Sequence, residues 1–269
     1  MTTRPGRLVL LGHPVAHSLS PTFQNAALLA AGIPLVYEAL DVGPAGFASV
    51  VDRLVIERAA GNVTIPHKAA MLARCTTVTP IAMRAGAVNT FWVDDRGQLQ
   101  GDNTDVGGFE AAVAALLGDV PHGVTVALLG AGGAAGAVLA AAERWPHSPV
   151  RLWSRRHEAA VALSGRFGAA VTAHQLLAEA IRGADLVVNA TPIGLADDAI
   201  PFPVALVRRQ AAVLDLVYRR GGTAWIRSAR TRGLRAMDGL PMLLEQGALA
   251  FERWFGVAPD RAVMRASVA

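Results

Sequence analysis

Short apolar runs alternate with longer amphipathic stretches along the first part of the chain. The runs predict β-strands at 8–11, 35–40 and 62–65, and the stretches predict α-helices at 21–31 and 45–58. Two more apolar stretches, at 88–93 and 98–102, flank Asp94-Asp95-Arg96-Gly97, which is typical of a hairpin turn. The pattern predicts a parallel sheet covered by helices and followed by a hairpin.

A second and stronger alternation begins after a predicted helix at 106–117. Its strands are predicted at 124–129, 150–153, 170–172, 185–189 and 213–217, with Ala-rich helices between them. This is the outline of a doubly wound dinucleotide-binding fold. The tail at 240–268 is predicted to be helical and to add no strand.

The composition excludes several classes of protein. With 269 residues and 52% hydrophobic content, the chain can bury a large core, and it is neither disordered nor fibrous. A single cysteine, Cys75, rules out an intramolecular disulfide, and no Cys and His cluster has zinc spacing, so no metal is expected. No apolar run has the length of a signal-peptide core or a membrane span, so we expect a soluble, cytoplasmic protein. The net charge of +4 comes from scattered arginines, which favours anionic small molecules over nucleic acid.

A glycine-rich loop follows the predicted strand at 124–129. Its residues match the GxGxxG/A pattern: Gly130, Ala131, Gly132, Gly133, Ala134 and Ala135. The first glycine allows a tight turn, the second lets the backbone approach a pyrophosphate, and the small third position lets helix and strand pack closely. The helix N-terminus then binds the phosphates. The loop predicts a dinucleotide site, and an ordinary glycine turn is the alternative.

The end of the next strand bears on the choice between NADP and NAD. An NAD site normally carries Asp or Glu there, about 20 residues after the glycines, to accept from the ribose 2′-hydroxyl. This strand ends in Ser154-Arg155-Arg156, with no carboxylate before Glu158. Guanidinium groups match phosphate geometry, so Arg155 and Arg156 favour the 2′-phosphate of NADP. The alternative is that both are solvated charges at a helix start.

Lys68 is the only lysine in a chain with 25 Lys and Arg residues. An arginine stays protonated in a protein, whereas a lysine can lose its proton when burial or a neighbour lowers its pKa. A lone lysine therefore suggests a proton-transfer residue. The alternative is a lysine left by chance on a solvated face.

Polar side chains gather at the predicted strand ends of the first half, where open α/β sheets bind ligands. Ser18 and Ser20 are two residues apart, so an extended backbone would point both hydroxyls the same way, and Ser20 can cap the helix that begins with Pro21. Capping explains one serine, so Ser18 suggests an anion or carboxylate site. Thr64 and Lys68 lie at the end of the predicted strand at 62–65, and Asn89 and Asp105 border the hairpin.

A series of ordered motifs resembles the shikimate dehydrogenase family over the whole chain. Besides the glycine loop, the motifs are GHPVAHSLSP at 12–21, NVTIPHK at 62–68, GAVNT at 86–90, GDNTD at 101–105, NAT at 189–191, DLVY at 215–218, GLPML at 239–243 and QGA at 246–248. Departures from the family pattern include Gln24 where a His is common and Ala159 where a basic residue is common.

The resemblance implies NADPH-dependent reduction of 3-dehydroshikimate to shikimate, a step towards aromatic amino acids, without a metal and in a monomer or homodimer. By matching position, Lys68 and Asp105 form the catalytic pair. The substrate residues that it implies are Ser18, Ser20 and Tyr218 at the ring carboxylate, and Thr64, Asn89, Asp105 and Gln246 at the ring hydroxyls. Thr191 and Gly239 are implied to bind the cofactor.

The resemblance also implies two α/β domains with a cleft between them. A discontinuous substrate-binding domain comprises 1–104 plus 238–269, and a Rossmann NADP-binding domain comprises 105–237. His13 and His17 have the spacing of a helical metal pair, but Pro14 lies between them, so local hydrogen bonding is predicted for both and for His67.

Other functions are possible from the sequence. A paralogue acting on quinate or an amino-shikimate is one, and Ser20 argues mildly against quinate because quinate-preferring relatives often have Thr there. A non-catalytic NADP-binding regulator or a nucleic-acid-binding protein is another. Such a protein has no reason to carry Lys68, Asp105, Asn89 and Gln246 together.

Overall fold

The computed structural model describes residues 5–269, which fall into two compact units. The first unit takes the chain up to Gly108 together with Leu243–Ala269, and the second unit is Phe109–Met242. The chain passes from one unit to the other at two places, and both lie inside helices, α5 (Asp105–Leu117) and α10 (Leu240–Phe255). The domain divisions that the resemblance implies, after residues 104 and 237, lie a few residues earlier in the chain.

The sheet of the first unit is mixed, with the strand order β2-β1-β3-β5-β6-β4. The strands are β1 Arg7–Gly12, β2 Tyr37–Asp41, β3 Ala59–Val63, β4 Thr77–Val78, β5 Thr90–Val93 and β6 Leu99–Asp102. β1 pairs in parallel with β2 and β3, whereas β5 runs antiparallel to β3 and to β6. The predicted parallel strands and the predicted hairpin therefore form one continuous sheet.

Both faces of this sheet are covered. Side chains alternate across a strand, so Leu8 and Leu10 of β1 pack in one hydrophobic cluster and Val9 and Leu11 in another. The helices besides α5 and α10 are α1 Ser20–Ala30, α2 Phe47–Ile56, α3 Lys68–Arg74, α4 Pro80–Ala85 and α11 Arg261–Ala266, with a 3₁₀ turn at Pro44–Gly46. The pattern did not predict α3, α4 or β4, which are too short to show a clear hydrophobic period.

The sheet of the second unit is entirely parallel, with the order β12-β11-β10-β7-β8-β9. Its strands are β7 Val126–Leu129, β8 Val150–Trp153, β9 Val171–His174, β10 Leu186–Asn189, β11 Ala212–Asp215 and β12 Arg235–Met237. Its helices are α6 Gly133–Ala142, α7 His157–Gly165, α8 Leu177–Ile181 and α9 Ala224–Thr231, with 3₁₀ turns at Gly168–Ala170 and Val204–Leu206. The predicted doubly wound α/β fold is confirmed. β12 was not predicted because it is a short edge strand that pairing with β11 creates.

No helix within residues 5–269 combines the length and the apolar character needed to cross a membrane.

Candidate active site

Lys68 and Asp105 form an ion pair in the first unit. Each is the first residue of a helix, α3 and α5 respectively, so both side chains project from helix starts. The Lys68 Nζ lies 2.6 Å from Asp105 Oδ2, and the two side chains are 16% and 7% exposed. A short, largely desolvated pair of this kind holds an ammonium group in one place while leaving part of it open to a ligand.

Asn89 holds the other oxygen of Asp105. Its Nδ2 donates to Asp105 Oδ1 at 2.9 Å, and the same amide lies 3.2 Å from Gln246 Oε1 on α10. Its Oδ1 accepts from the Thr104 backbone N–H at 2.7 Å. The structure therefore brings together Lys68, Asp105, Asn89 and Gln246, although Gln246 lies far from the others in sequence.

The polar cluster continues through residues that the site prediction did not include. The Oγ1 atoms of Thr104 and Thr90 lie 3.2 Å apart, and Thr90 Oγ1 accepts from Asn62 Nδ2 at 2.7 Å. Asn62 Oδ1 in turn accepts from the Tyr37 hydroxyl at 2.8 Å. Asn62 and Thr104 lie in the NVTIPHK and GDNTD motifs, which could have pointed to them. Tyr37 gave no such signal.

Burial raises the pKa of Tyr37 well above its usual value of 10.0. The phenol is therefore a neutral hydrogen-bond donor over the whole working pH range. A continuous run of hydrogen-bonded groups thus reaches from this buried phenol to the Lys68 ammonium.

The two serines are arranged differently from the prediction. Leu19 between them has helical backbone angles, and α1 already begins at Ser20, so the segment is not extended. Ser20 does not cap the helix; instead Ser18 Oγ accepts from the Ser20 backbone N–H at 3.2 Å. Thr64 directly follows β3, and its hydroxyl forms no hydrogen bond within residues 5–269. In that range no hydrogen bond joins Ser18, Ser20 or Thr64 to the Lys68–Asp105 pair.

Of the three histidines for which local hydrogen bonding was predicted, two make side-chain hydrogen bonds. His13 Nδ1 lies 2.6 Å from Asp41 Oδ1 at the end of β2. His67 is buried, donates from Nε2 to the Val42 carbonyl oxygen at 2.5 Å and stacks on Phe47. His17 is exposed. Across residues 5–269 no group of three or more His, Cys, Asp or Glu side chains is arranged to hold a metal ion.

The glycine loop of the second unit suits a phosphate group. Gly130 has φ +110°, and a Cβ there would lie 2.8 Å from the Ala190 carbonyl oxygen, so both the turn and the close approach require glycine. A Cβ at Gly132 would meet no atom within 4 Å, so the space above it is open. α6 starts at Gly133 with no side-chain cap, and Ala134 and Ala135 form its first turn. Its N–H groups are therefore available to an anion.

The other predicted cofactor residues lie at carboxyl ends of strands in the same sheet. Ser154 follows β8 and is half-buried. Arg155 and Arg156 are exposed, and their guanidinium groups form no ion pair or hydrogen bond within the described part of the chain. Thr191 follows β10 and donates from Oγ1 to Asn189 Oδ1 at 2.6 Å. Gly239 packs directly against the backbone of Leu216.

Tyr218 belongs to the second unit, where it follows β11. Its role at the substrate carboxylate stays a prediction from the resemblance.

A hydride donor and a proton donor are what an enzyme needs to reduce a carbonyl group. The second unit has the fold that binds a dinucleotide, and the first carries an ion pair able to transfer a proton. The chain is therefore of the class of dinucleotide-dependent oxidoreductases.

Comparison with known proteins makes this class specific. The family described as shikimate dehydrogenase substrate binding domain matches residues 10–91, and that described as shikimate 5′-dehydrogenase C-terminal domain matches residues 239–269. The chain is 45% identical to the shikimate dehydrogenase (NADP(+)) of Rubrobacter xylanophilus, over 95% of this chain and 93% of that protein.

Solved structures of shikimate dehydrogenases are similar to this chain over nearly its whole length. The shikimate dehydrogenase of Aquifex aeolicus superposes with a TM-score of 0.91 at 34% identity, over 97% of both chains. The enzyme of Thermus thermophilus, solved in complex with NADP(H) and shikimate, superposes with a TM-score of 0.85 at 40% identity, also over 97% of both chains. The chain belongs to the shikimate dehydrogenase family.

Proposed function

We propose that this protein catalyses the reversible NADPH-dependent reduction of 3-dehydroshikimate to shikimate. The observation that carries the proposal is the 2.6 Å contact between Lys68 Nζ and Asp105 Oδ2, beside the amides of Asn89 and Gln246. A cyclic hydroxy-ketone needs a proton donor at its carbonyl oxygen and fixed hydrogen-bonding groups around its ring. The first unit offers both.

Lys68 acts at the carbonyl oxygen of the substrate. Bound NADPH supplies the hydride. The ammonium of Lys68 stabilises the negative charge that develops on the oxygen and donates its proton from Nζ. Asp105 keeps the ammonium in place through Oδ2, while Asn89 fixes the carboxylate through Oδ1. An arginine could supply the charge but would be a poor proton donor, because a guanidinium does not deprotonate in a protein.

The remaining polar groups bind the substrate. The Ser18 hydroxyl accepts from a backbone N–H, so its own proton is available to the ring carboxylate, where we also place Ser20. The Thr64 hydroxyl makes no hydrogen bond within residues 5–269 and is available to a ring hydroxyl. Asn89 and Gln246, which lie beside the ion pair, bind ring hydroxyls.

NADPH binds to the second unit. The open space at Gly132 and the uncapped start of α6 accept the pyrophosphate. Thr191 follows β10, which pairs with β7, and Gly239 follows β12, at carboxyl ends of strands in the same sheet. Arg155 and Arg156 bind the 2′-phosphate, since their guanidinium groups are exposed and unpaired in the described chain. The preference for NADP over NAD rests on these two side chains.

The reaction and the role of the lysine are tested together by following the absorbance of NADPH with 3-dehydroshikimate. Lys68→Ala should lower kcat by about two orders of magnitude or more with little change in KM. Lys68→Arg should be nearly as slow, because a guanidinium restores the charge but is a poor proton donor. Arg74→Ala, on the same helix in an exposed ion pair with Asp52, is the control and should keep wild-type rates. Full activity of Lys68→Arg would mean that charge alone suffices. An inactive wild type would refute the assigned reaction, and turnover of quinate would add a second substrate to it.

The cofactor preference has its own test. Replacing Arg155 and Arg156 together by Ala should raise KM for NADPH about tenfold or more and leave KM for NADH nearly unchanged. Arg209→Ala is a matched control, because Arg209 precedes the amino end of β11 and so lies at the opposite edge of the parallel sheet. Equal effects on both cofactors would contradict the assignment of the 2′-phosphate.

A further inference from the structure

Asp215 is a fully buried carboxylate in the second unit, with 0% exposed surface. It ends β11, directly beside Asn189 at the end of β10. Oδ1 accepts from Asn189 Nδ2 at 2.8 Å and from the Val217 N–H at 3.1 Å, and Oδ2 accepts from Thr223 Oγ1 at 2.7 Å. Burying a carboxylate is costly even when it is hydrogen-bonded, so this position carries a free-energy cost that filling the core does not require. The buried carboxylate therefore suggests a functional role for Asp215.

Asn189 connects this carboxylate to the loop that follows β10 through hydrogen bonds. Because Nδ2 is held by Asp215, Oδ1 faces the loop and accepts from the Thr191 N–H at 3.0 Å and from its hydroxyl at 2.6 Å. Thr191 Oγ1 then accepts from the Ile193 N–H at 3.3 Å. Nδ2 also donates to the Ile193 carbonyl oxygen, at the longer distance of 3.4 Å, so Asp215 at 2.8 Å is its closer acceptor. Without Asp215 the amide would be held only by this longer contact and by Thr191, so Asp215 fixes the position of Asn189.

The same loop supports the glycine loop. The Ala190 N–H donates to the Leu129 carbonyl oxygen at 2.8 Å. The Ala190 carbonyl oxygen lies so close to Gly130 that a Cβ there would be 2.8 Å away. A displacement of Ala190 and Thr191 by a few tenths of an ångström therefore reaches the backbone in front of the phosphate-binding helix end.

We propose that Asp215 is a positioning residue of the cofactor site, which sets NADPH affinity by fixing Asn189 and, through it, the Thr191 loop and the glycine loop. The carboxylate has no exposed surface, so it acts through Asn189 and does not touch the cofactor. This inference rests on the proposed binding of NADPH to the second unit.

Two substitutions separate positioning from simple packing. Asp215→Leu keeps the branched shape of the side chain, with methyl groups in place of the oxygens, and removes both acceptors. Asp215→Asn keeps an oxygen for Asn189 and Val217, and its N–H can donate to Thr223 Oγ1, which has lone pairs to accept it. NADPH binding is measured by fluorescence titration, and shikimate binding by calorimetry. We expect NADPH to bind about ten- to a hundredfold more weakly to Asp215→Leu, with shikimate affinity unchanged and with Asp215→Asn close to wild type.

A control and a second variant complete the test. Asp185 precedes the amino end of β10, where Oδ2 accepts from the Thr125 N–H at 2.8 Å, so Asp185→Asn perturbs the same strand at its other end and should leave NADPH affinity unchanged. If Asp215→Leu does not fold, Asn189→Ser cuts the same link from the other side and should weaken NADPH to a similar extent. Lower stability with unchanged NADPH affinity in either variant would overturn the proposal. A wild type that binds no NADPH would instead overturn the cofactor assignment.

Discussion

The guanidinium of Arg253 donates from Nη2 to Asp102 Oδ2 at 2.6 Å and so joins α10 to the end of β6. Asp102 is buried and also accepts from the Thr79 hydroxyl and the Asn103 N–H. Gln246 lies two turns before Arg253 on α10, and Asp105 follows shortly after Asp102. This contact therefore joins the two segments that carry Gln246 and Asp105.

Loss of this contact should destabilise the first unit. Arg253→Met keeps an unbranched side chain near Trp92 but leaves the buried Asp102 carboxylate without its cation. We expect the free energy of unfolding to fall by about 1–2 kcal/mol, measured by chemical denaturation. Arg265→Met on α11 is the control, since Arg265 is exposed and has no ion pair within residues 5–269. Equal losses in the two variants would show that the ion pair adds nothing.

Tyr37→Phe tests the run of buried hydrogen bonds. The substitution removes the hydroxyl that donates to Asn62 Oδ1 and leaves a buried acceptor without a partner. We expect a loss of about 1–2 kcal/mol in stability and a lower kcat, with KM for NADPH unchanged because the substitution lies in the first unit. Steady-state kinetics and denaturation measure the two effects. A stable variant with wild-type kcat would show that Tyr37 does not contribute to the site.

The two loop glycines should respond differently to alanine. Gly132→Ala places its Cβ in open space at φ −95°, so the fold should be unaffected while the methyl group obstructs a bound phosphate. Gly130→Ala is strained by φ +110° and meets the Ala190 carbonyl oxygen, so it should lose stability as well. Thermal unfolding and NADPH titration on both variants separate the effects. Unchanged NADPH affinity in Gly132→Ala would place the phosphates elsewhere.

Asp215 should make stability depend on pH. Burial raises its pKa from 3.8 to about 6, with hydrogen bonds from Thr223, Asn189 and Val217 acting in the opposite direction and Asp238 adding to the rise. Between these two values the folded protein binds a proton that the unfolded chain lacks, so the contribution of Asp215 to stability falls as pH rises through this window.

The comparison with Asp215→Asn isolates that contribution. The asparagine side chain does not titrate. The free energy of unfolding of Asp215→Asn, relative to that of the wild type, should therefore rise by about 2–3 kcal/mol between pH 4 and pH 7 and then level off. Denaturation of both proteins across this range measures the difference. A constant difference would mean that the folded-state pKa of Asp215 is not raised.

Much of the secondary structure was predictable because buried strands leave an unbroken apolar signature. β1 and β7 are buried along nearly their whole length and appear as runs of Leu, Val and Ala. Short elements such as α3, β4 and β12 carry no such signal, because neighbouring strands and the core create them. The helical start of α1 at Ser20 also escaped the prediction, since two spaced serines fit an extended segment as well as a helical turn.

The sequence by itself determined the fold class, the glycine loop and the identity of the polar residues, since these depend on short-range patterns and on motifs. Tertiary structure alone decided which of those residues meet. Tyr37 reaches Asn62 because β1 pairs with both β2 and β3, and Asp215 reaches Asn189 because β10 and β11 are in register. Contacts of this kind join residues far apart in the chain, and their energies depend on burial and distance, which a linear pattern does not contain.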